Sequence, residues 1–149
     1  MDRIDPTKAA AVWQRVHSSA PPSRSAQALL TLIHDELADG TLYQQLARHF
    51  TGARSTQLLQ MAKQEFSHAA CLKGMYQLIA GEKADVPAPK LAPDTPEAIL
   101  RRCYGREMHC LAQYEAHSTD PDYGGVFTQL AKQEQEHCRQ LLEILGQFK

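Results

Sequence analysis

Two copies of one nine-residue pattern, Gln-Met/Leu-Ala-Lys-Gln-Glu-x-x-His, occur in this sequence, one in each half. The first copy places Glu65 three residues before His68, and the second places Glu134 three residues before His137. Residues three apart on a helix share a face, with Cβ atoms roughly 5–6 Å apart, so each pair can direct a carboxylate and an imidazole at one point. This donor set suits iron or manganese better than a thiolate-seeking ion.

A glutamate with a tyrosine seven residues later precedes each copy of the pattern. These residues are Glu36 and Tyr43 in the first half and Glu107 and Tyr114 in the second half. Each half therefore offers one glutamate from an upstream helix and a Glu-x-x-His pair from a downstream helix. A single Glu-x-x-His pair would be a weak signal, whereas two copies in register, each with an upstream glutamate, are a specific one.

Apolar residues at helical spacing surround both Glu-x-x-His pairs, so these pairs belong to buried helix faces. The neighbours are Leu58, Met61, Ala62, Leu72 and Ile79 for the first pair and Phe127, Leu130, Leu141 and Leu145 for the second. Burying four carboxylates without partners is very unfavourable. Two divalent ions would balance the four charges and leave the histidines neutral. Glutamates from two helices with Glu-x-x-His from two others are the ligand set of di-iron and di-manganese bundles.

Proline and glycine residues divide the chain into segments with helical periodicity. Asp5-Pro6 predicts the start of a short N-terminal helix that reaches about His17, followed by a linker up to residue 22. Four longer helices are predicted over about residues 25–50, 53–80 and 96–118, and from the turn at residues 124–125 to about residue 148.

Residues 82–96 are predicted to form an extended connector, because prolines at positions 87, 89, 93 and 96 exclude a continuous helix. Gly81 is the predicted stop of the preceding helix, and Asp94 or Thr95 is the predicted cap of the next one. No segment has the two-residue alternation of a strand. The predicted fold is all-α: a four-helix bundle of two hairpins joined by a long crossover, over residues 23–149. Ferritin-like folds have this topology.

Composition excludes several other classes of function. The net charge is −1, from 16 basic and 17 acidic residues, and no basic run indicates nucleic acid or an anionic membrane as a partner. No apolar stretch approaches the roughly 18 residues of a membrane span, and the N-terminus lacks signal-peptide features, so we expect a cytoplasmic protein. No two cysteines form a C-x-x-C pair, which argues against zinc ribbons, rubredoxin sites and thioredoxin chemistry. The cysteines are expected to be small core residues: Cys71, Cys103, Cys110 and Cys138.

Over about residues 25–147 the sequence resembles the rubrerythrin branch of the ferritin-like superfamily, through the glutamate and Glu-x-x-His of each half. The resemblance implies that two iron ions are bound by Glu36, Glu65, His68, Glu107, Glu134 and His137. Glu65 and Glu134 match ligands that commonly bridge or chelate the irons. Tyr43 and Tyr114 match positions that often support the ligands; packing in the core with a satisfied hydroxyl is the alternative for both.

The sequence departs from the rubrerythrin pattern in two places. Cys110 occupies the position of a second carboxylate, three residues after the third-helix ligand, that exchanges with histidine in the family. Asp39 is its counterpart in the repeat and could take a comparable role, lie at the edge of the buried stripe, or mark a loosened turn beside Gly40. The rubredoxin-like domain of typical rubrerythrins is absent, so the resemblance implies a separate electron donor.

The function that this resemblance implies is a di-iron oxidoreductase that reduces hydrogen peroxide in oxidative-stress defence. A rubredoxin or reductase would supply electrons, and a homodimer is expected. The alternatives are a ferroxidase or iron-storage protein that uses dioxygen, a metal-stabilised helical module without turnover, and a manganese centre with catalase chemistry.

Overall fold

The computed structural model describes Thr7 and residues 24–148, and within them the chain is entirely helical apart from its connections. Apart from Thr7, the predicted N-terminal helix lies outside the described residues. The four helices are α1 (Arg24–Ala47), α2 (Gly52–Ala80), α3 (Pro96–His117) and α4 (Gly124–Leu145). None of them is both long and apolar enough to cross a membrane. The predicted all-α four-helix architecture is confirmed.

Local backbone chemistry explains where the middle helices begin and end. Gly81 ends α2 in the left-handed conformation, with φ of 76°, and its N–H donates to the carbonyl of Gln77. A glycine adopts this conformation without strain from a Cβ atom. Thr95 caps α3 by accepting a hydrogen bond from the N–H of Ala98, and Pro96 occupies the first turn. The predicted stop and cap are therefore confirmed.

Two helices end earlier than predicted. α1 stops at Ala47 rather than near Phe50, and α4 stops at Leu145 rather than near Phe148. After α1 the N–H groups of residues 48–50 bond to carbonyls three residues back; after α4 the N–H of Gly146 still bonds four residues back, and those of residues 147 and 148 bond three back. These shorter bonds tighten the chain into turns. The apolar spacing that predicted these ends continues into the turns, so periodicity alone could not place the stops.

The helices form two hairpins, α1 with α2 and α3 with α4, and the hairpins meet where α1 packs against α3. The connector between α2 and α3 has no regular structure from residue 83 to residue 95. Gln45 on α1 donates a hydrogen bond of 3.0 Å to the carbonyl of Ala92, which holds this connector against the bundle. This is the predicted crossover topology.

Two apolar clusters fill the bundle at different levels along the helices. One cluster includes Leu29, Leu32, Ile33, Leu72, Met75, Tyr114, Phe127 and Leu130. The other includes Leu42, Leu46, Leu58, Met61, Ile99, Leu100, Leu141 and Ile144. Burying an aliphatic side chain of this size contributes about 1.5–3 kcal/mol, so these clusters supply most of the stability. On every helix the segment between them carries a buried glutamate.

A close approach between α1 and α2 depends on Gly40. A Cβ atom at this position would lie 2.7 Å from the aromatic ring of Phe66. α1 continues through Gly40 without interruption. The hypothesis of a loosened turn there is therefore wrong, and the absence of a side chain serves helix packing instead.

The cysteines are all free, and three of them are buried as predicted: Cys103, Cys110 and Cys138. Cys71 is exposed, so the prediction that it belongs to the core is wrong. Because an α-helix turns by about 100° per residue, its neighbour Leu72 points at the core while Cys71 lies beyond the edge of the buried face.

Candidate metal centre

Six side chains converge in the segment between the two apolar clusters, and all six are residues that the sequence repeat singled out. No more than 3% of any of them is exposed: Glu36, Glu65, His68, Glu107, Glu134 and His137. Each helix contributes a glutamate, while the histidines come from α2 and α4. The structure thus places the candidate ligands together; their binding of metal stays a prediction.

The six residues form two overlapping groups that could each hold a metal ion. One group consists of Glu36, Glu65, His68 and Glu134; the other consists of Glu65, Glu107, Glu134 and His137. Within each group the candidate ligand atoms lie within 4.8 Å of one another. Glu65 and Glu134 belong to both groups, so each group has one glutamate and one histidine of its own and shares two carboxylates. Two ions held by these groups would therefore share the carboxylates of Glu65 and Glu134.

Both imidazoles turn their Nδ1 atoms towards the carboxylates. Nδ1 of His68 lies 3.1 Å from Oε1 of Glu134 and 3.4 Å from Oε2 of Glu36. Nδ1 of His137 lies 2.5 Å from Oε1 of Glu65 and 3.6 Å from Oε2 of Glu134. The two rings are stacked with their centroids 6.1 Å apart. Nδ1 is therefore the nitrogen that each histidine can offer to a metal ion.

Several buried polar atoms of this centre have no hydrogen-bond partner. Oε2 of Glu36, Glu65, Glu107 and Glu134 have none, and Oε1 of Glu65 and Nδ1 of His137 have only each other, at 2.5 Å. Leaving a buried polar atom unpaired costs roughly 1–3 kcal/mol, and more for a charged group. Two divalent cations would coordinate these atoms and neutralise four carboxylates. The residues present therefore fit a pair of divalent ions with oxygen-rich coordination.

Without metal, bound protons neutralise part of the negative charge of the buried carboxylates. Burial raises the pKa of Glu36 and raises the pKa of Glu65 further above its ordinary value. Burial lowers the pKa of His68, but hydrogen bonds to Glu134 and Glu36 outweigh that effect and raise it to about 10. A protonated His68 is thus favoured at neutral pH, and burial favours the neutral form of Glu65. Metal binding would release these protons, because ligating groups must be deprotonated.

The two tyrosines bind the glutamates of the opposite hairpin. The hydroxyl of Tyr43 on α1 donates to Oε1 of Glu107 on α3, at 2.5 Å. The hydroxyl of Tyr114 on α3 donates to Oε1 of Glu36 on α1. Burial raises the pKa of both phenols, so they stay protonated donors. Each tyrosine occupies one carboxylate oxygen and leaves the other, unpaired oxygen facing the centre.

Two glutamines that sequence reasoning did not single out contact the histidines. Oε1 of Gln64 lies 2.6 Å from Nε2 of His137, and Oε1 of Gln133 contacts Nε2 of His68. Both glutamines directly precede the glutamate of the repeated pattern. Their identical position in the two copies was the signal that could have found them.

Asp39 is buried beside the centre but belongs to neither group. Arg106 donates to Oδ1 of Asp39, and the thiol of Cys110 lies 3.6 Å from Oδ2. Burial raises the pKa of Asp39 to about 7, against the opposing effect of Arg106. Arg106 and Cys110, both outside the two groups, thus engage its two carboxylate oxygens, and only 2% of Asp39 is exposed.

Comparison with known proteins identifies the fold but no family. No family model matches the chain, and no curated protein matches it. Among solved structures, it is similar to a protein of Thermotoga maritima whose assignment as a ferritin-like diiron-carboxylate protein is provisional. The TM-score is 0.68 at 22% sequence identity, over 87% of this chain and 99% of that chain. The chain accordingly has a ferritin-like four-helix fold.

Proposed function

We propose that this protein is a di-iron carboxylate oxidoreductase of rubrerythrin type that reduces hydrogen peroxide to water. The observation that supports this proposal is the pair of overlapping ligand groups, which share Glu65 and Glu134 and contain buried carboxylate oxygens without hydrogen-bond partners. Four carboxylates match the charge of two ferrous ions. One imidazole for each ion completes a donor set that suits iron.

In this proposal a pair of ferrous ions supplies two electrons, one from each ion, when bound. Glu36 and His68 would hold one ion, and Glu107 and His137 would hold the other. Glu65 and Glu134, which belong to both groups, would contribute carboxylates to both ions. Reduction of hydrogen peroxide to two water molecules consumes these two electrons and two protons.

The remaining residues prepare the site for this chemistry. Tyr43 and Tyr114 fix the orientation of Glu107 and Glu36, so that the free oxygen of each carboxylate faces the centre. The apolar clusters on both sides keep bulk water away from the ions and strengthen electrostatic interactions at the centre. A preorganised, water-poor site of this kind lowers the reorganisation that accompanies a change of metal charge.

The proposal includes a separate electron donor, such as a rubredoxin or a reductase, which would return both ions to the ferrous state after each reaction. It also includes a homodimer, which light scattering after size-exclusion chromatography tests directly. A large shell of subunits would instead indicate iron storage.

The first test is an anaerobic Fe(II) titration of the metal-free protein. We expect a breakpoint near two ions per chain for the wild type and its loss in Glu65→Gln/Glu134→Gln, which removes both shared carboxylates. The matched control is Glu115→Gln/Glu136→Gln, which changes two exposed glutamates on α3 and α4. A wild type that shows no breakpoint, or a double variant that still binds two ions, would contradict the proposed centre.

The second test compares oxidants by stopped-flow mixing of the diferrous protein with hydrogen peroxide and with dioxygen. The proposal requires faster oxidation by hydrogen peroxide. Faster oxidation by dioxygen would replace it with a ferroxidase function. Bound metal that reacts with neither oxidant would indicate a metal-stabilised module.

A further inference from the structure

Gln64 and Gln133 form matching contacts across the bundle. Each glutamine belongs to one Glu-x-x-His helix and reaches the histidine of the other: Gln64 on α2 meets His137, and Gln133 on α4 meets His68. α2 and α4 come from different hairpins, and a hydrogen bond of 2.9 Å between Gln57 and Gln140 also joins them. The contact is thus made twice, by the two copies of the repeat.

The amide oxygen defines which imidazole nitrogen carries a proton. An amide oxygen is only an acceptor, so Nε2 of each histidine must be the donor. In a neutral imidazole the other nitrogen, Nδ1, is then an acceptor with a free lone pair. Nδ1 of His68 and Nδ1 of His137 are the atoms that face the carboxylates. The glutamine contact therefore selects the tautomer that can bind metal at the centre.

We propose that Gln64 and Gln133 are positioning residues that hold His137 and His68 as Nε2–H tautomers, with Nδ1 directed at the metal ions. Both glutamines are exposed along part of their length, whereas the histidines are at most 3% exposed. The amides therefore cover the outer edges of the two imidazoles. This inference rests on the proposed di-metal function for its consequence, but the Nε2–H contact exists without metal, where His68 also carries an Nδ1 proton that metal binding would release.

The neutral amide also limits how basic the histidines become. A carboxylate at the same place would pull the Nε2 proton away and make Nδ1 a stronger donor to the metal, whereas an amide does so only weakly. Glu in place of Gln64 or Gln133 should therefore favour Fe(III) and lower the reduction potential of the pair. Leu in the same places should remove the acceptor while keeping a side chain of similar volume.

The experiment uses three double variants of the full chain: Gln64→Leu/Gln133→Leu, Gln64→Glu/Gln133→Glu and the control Gln60→Leu/Gln129→Leu. The control residues are exposed glutamines one helical turn earlier in the same repeat. In the metal-free protein, 15N NMR measures the exchange of the imidazole Nε2–H protons with water. In the Co(II)-loaded and Fe(II)-loaded protein, competition with a chelator measures metal affinity.

We expect slow Nε2–H exchange in the metal-free wild type and in the control, and fast exchange in the leucine variant. Loss of a residue that orients a metal ligand typically lowers metal affinity about 10–100-fold, so we expect a loss in that range for the leucine variant only. In the glutamate variant we expect recovered affinity and a lower potential. Recovery there separates a lost acceptor from a damaged fold, which circular dichroism also monitors.

Equal Nε2–H exchange in the wild type and the leucine variant would overturn the inference even if the protein binds two ions. Equal metal affinity of the leucine variant and the control would also overturn it, because water would then serve as well as the amide. A wild type with slow Nε2–H exchange but no metal binding would instead contradict the proposed function alone.

Discussion

Glu65→Gln is expected to stabilise the metal-free protein while removing its capacity to bind two ions. Glu65 is fully buried; its Oε1 lies 2.5 Å from Nδ1 of His137, and its Oε2 has no hydrogen-bond partner. Glutamine keeps the shape, cannot ionise and adds an N–H₂ donor that can reach a neighbouring carboxylate. Relief of one unpaired buried atom contributes roughly 1–3 kcal/mol to the free energy of unfolding. At about 3 °C per kcal/mol for a domain of this size, Tm should rise by roughly 3–9 °C.

The gain in stability should depend on pH in a direction fixed by the pKa of Glu65. Burial raises this pKa well above its ordinary value of 4.5, so the folded wild type holds a proton that the unfolded chain releases. The folded state is then favoured at low pH, and that contribution is lost as pH rises. The variant has no such proton. Its advantage over the wild type should therefore be small near pH 4 and largest at neutral pH.

Urea denaturation at several pH values, in chelator and then with excess Fe(II) under anaerobic conditions, measures both effects. Metal at 100 times its dissociation constant stabilises the wild type by about 2.7 kcal/mol for each ion, and the variant should lose most of this gain. Glu115→Gln, at an exposed position, should change neither quantity. Destabilisation of the metal-free protein by Glu65→Gln at neutral pH would contradict this prediction. The centre would then be a satisfied hydrogen-bond network without unpaired carboxylate oxygens.

Two further predictions concern the tyrosines and the packing of α1. Tyr43→Phe/Tyr114→Phe removes the hydroxyls that donate to Glu107 and Glu36. Competition with a chelator should show Fe(II) binding weakened about 10-fold. Unchanged affinity would mean that the two tyrosines only pack in the core. Gly40→Ala places a methyl group against the ring of Phe66 and should lower the free energy of unfolding by roughly 1–3 kcal/mol. Gly105→Ala, whose Cβ would meet nothing within 4 Å, should be neutral or stabilising in the same urea assay. Equal effects of the two alanines would refute the close contact at Gly40.

The helical fold and the convergence of the six residues could be predicted because the pattern occurs twice. Glu65 and His68 have the same spacing on α2 as Glu134 and His137 have on α4. Both helices must therefore bury the same kind of polar face. The contact between Gln64 and His137 could not be predicted in this way. Gln64 is exposed and lies off the buried stripe, and its amide reaches a histidine on a helix of the other hairpin. Helical periodicity describes one helix at a time and contains no information about such contacts.

The repeat also misleads where its two halves differ. Asp39 and Cys110 occupy equivalent positions, which suggested equivalent roles, but they contact each other in the structure. Arg106 then engages Asp39, whereas the equivalent position in the first half is Asp35. One unmatched cation thus engages the carboxylate of Asp39. Comparing residue types at equivalent positions could not predict the effect of the charge of Arg106 on Asp39.

Tyr43 and Tyr114 each contact the opposite hairpin, and this has a consequence for how such a chain could evolve and how it could be split into fragments. Tyr43 holds the glutamate of the second hairpin and Tyr114 holds the glutamate of the first, so neither hairpin contains a finished half of the centre. Two copies of a single ancestral hairpin, related by a twofold axis, would already exchange these contacts and assemble all the ligands. A modern chain cut within residues 83–95 would restore that situation, with two fragments that recover the centre only as a complex. The bundle is in this sense a fused dimer.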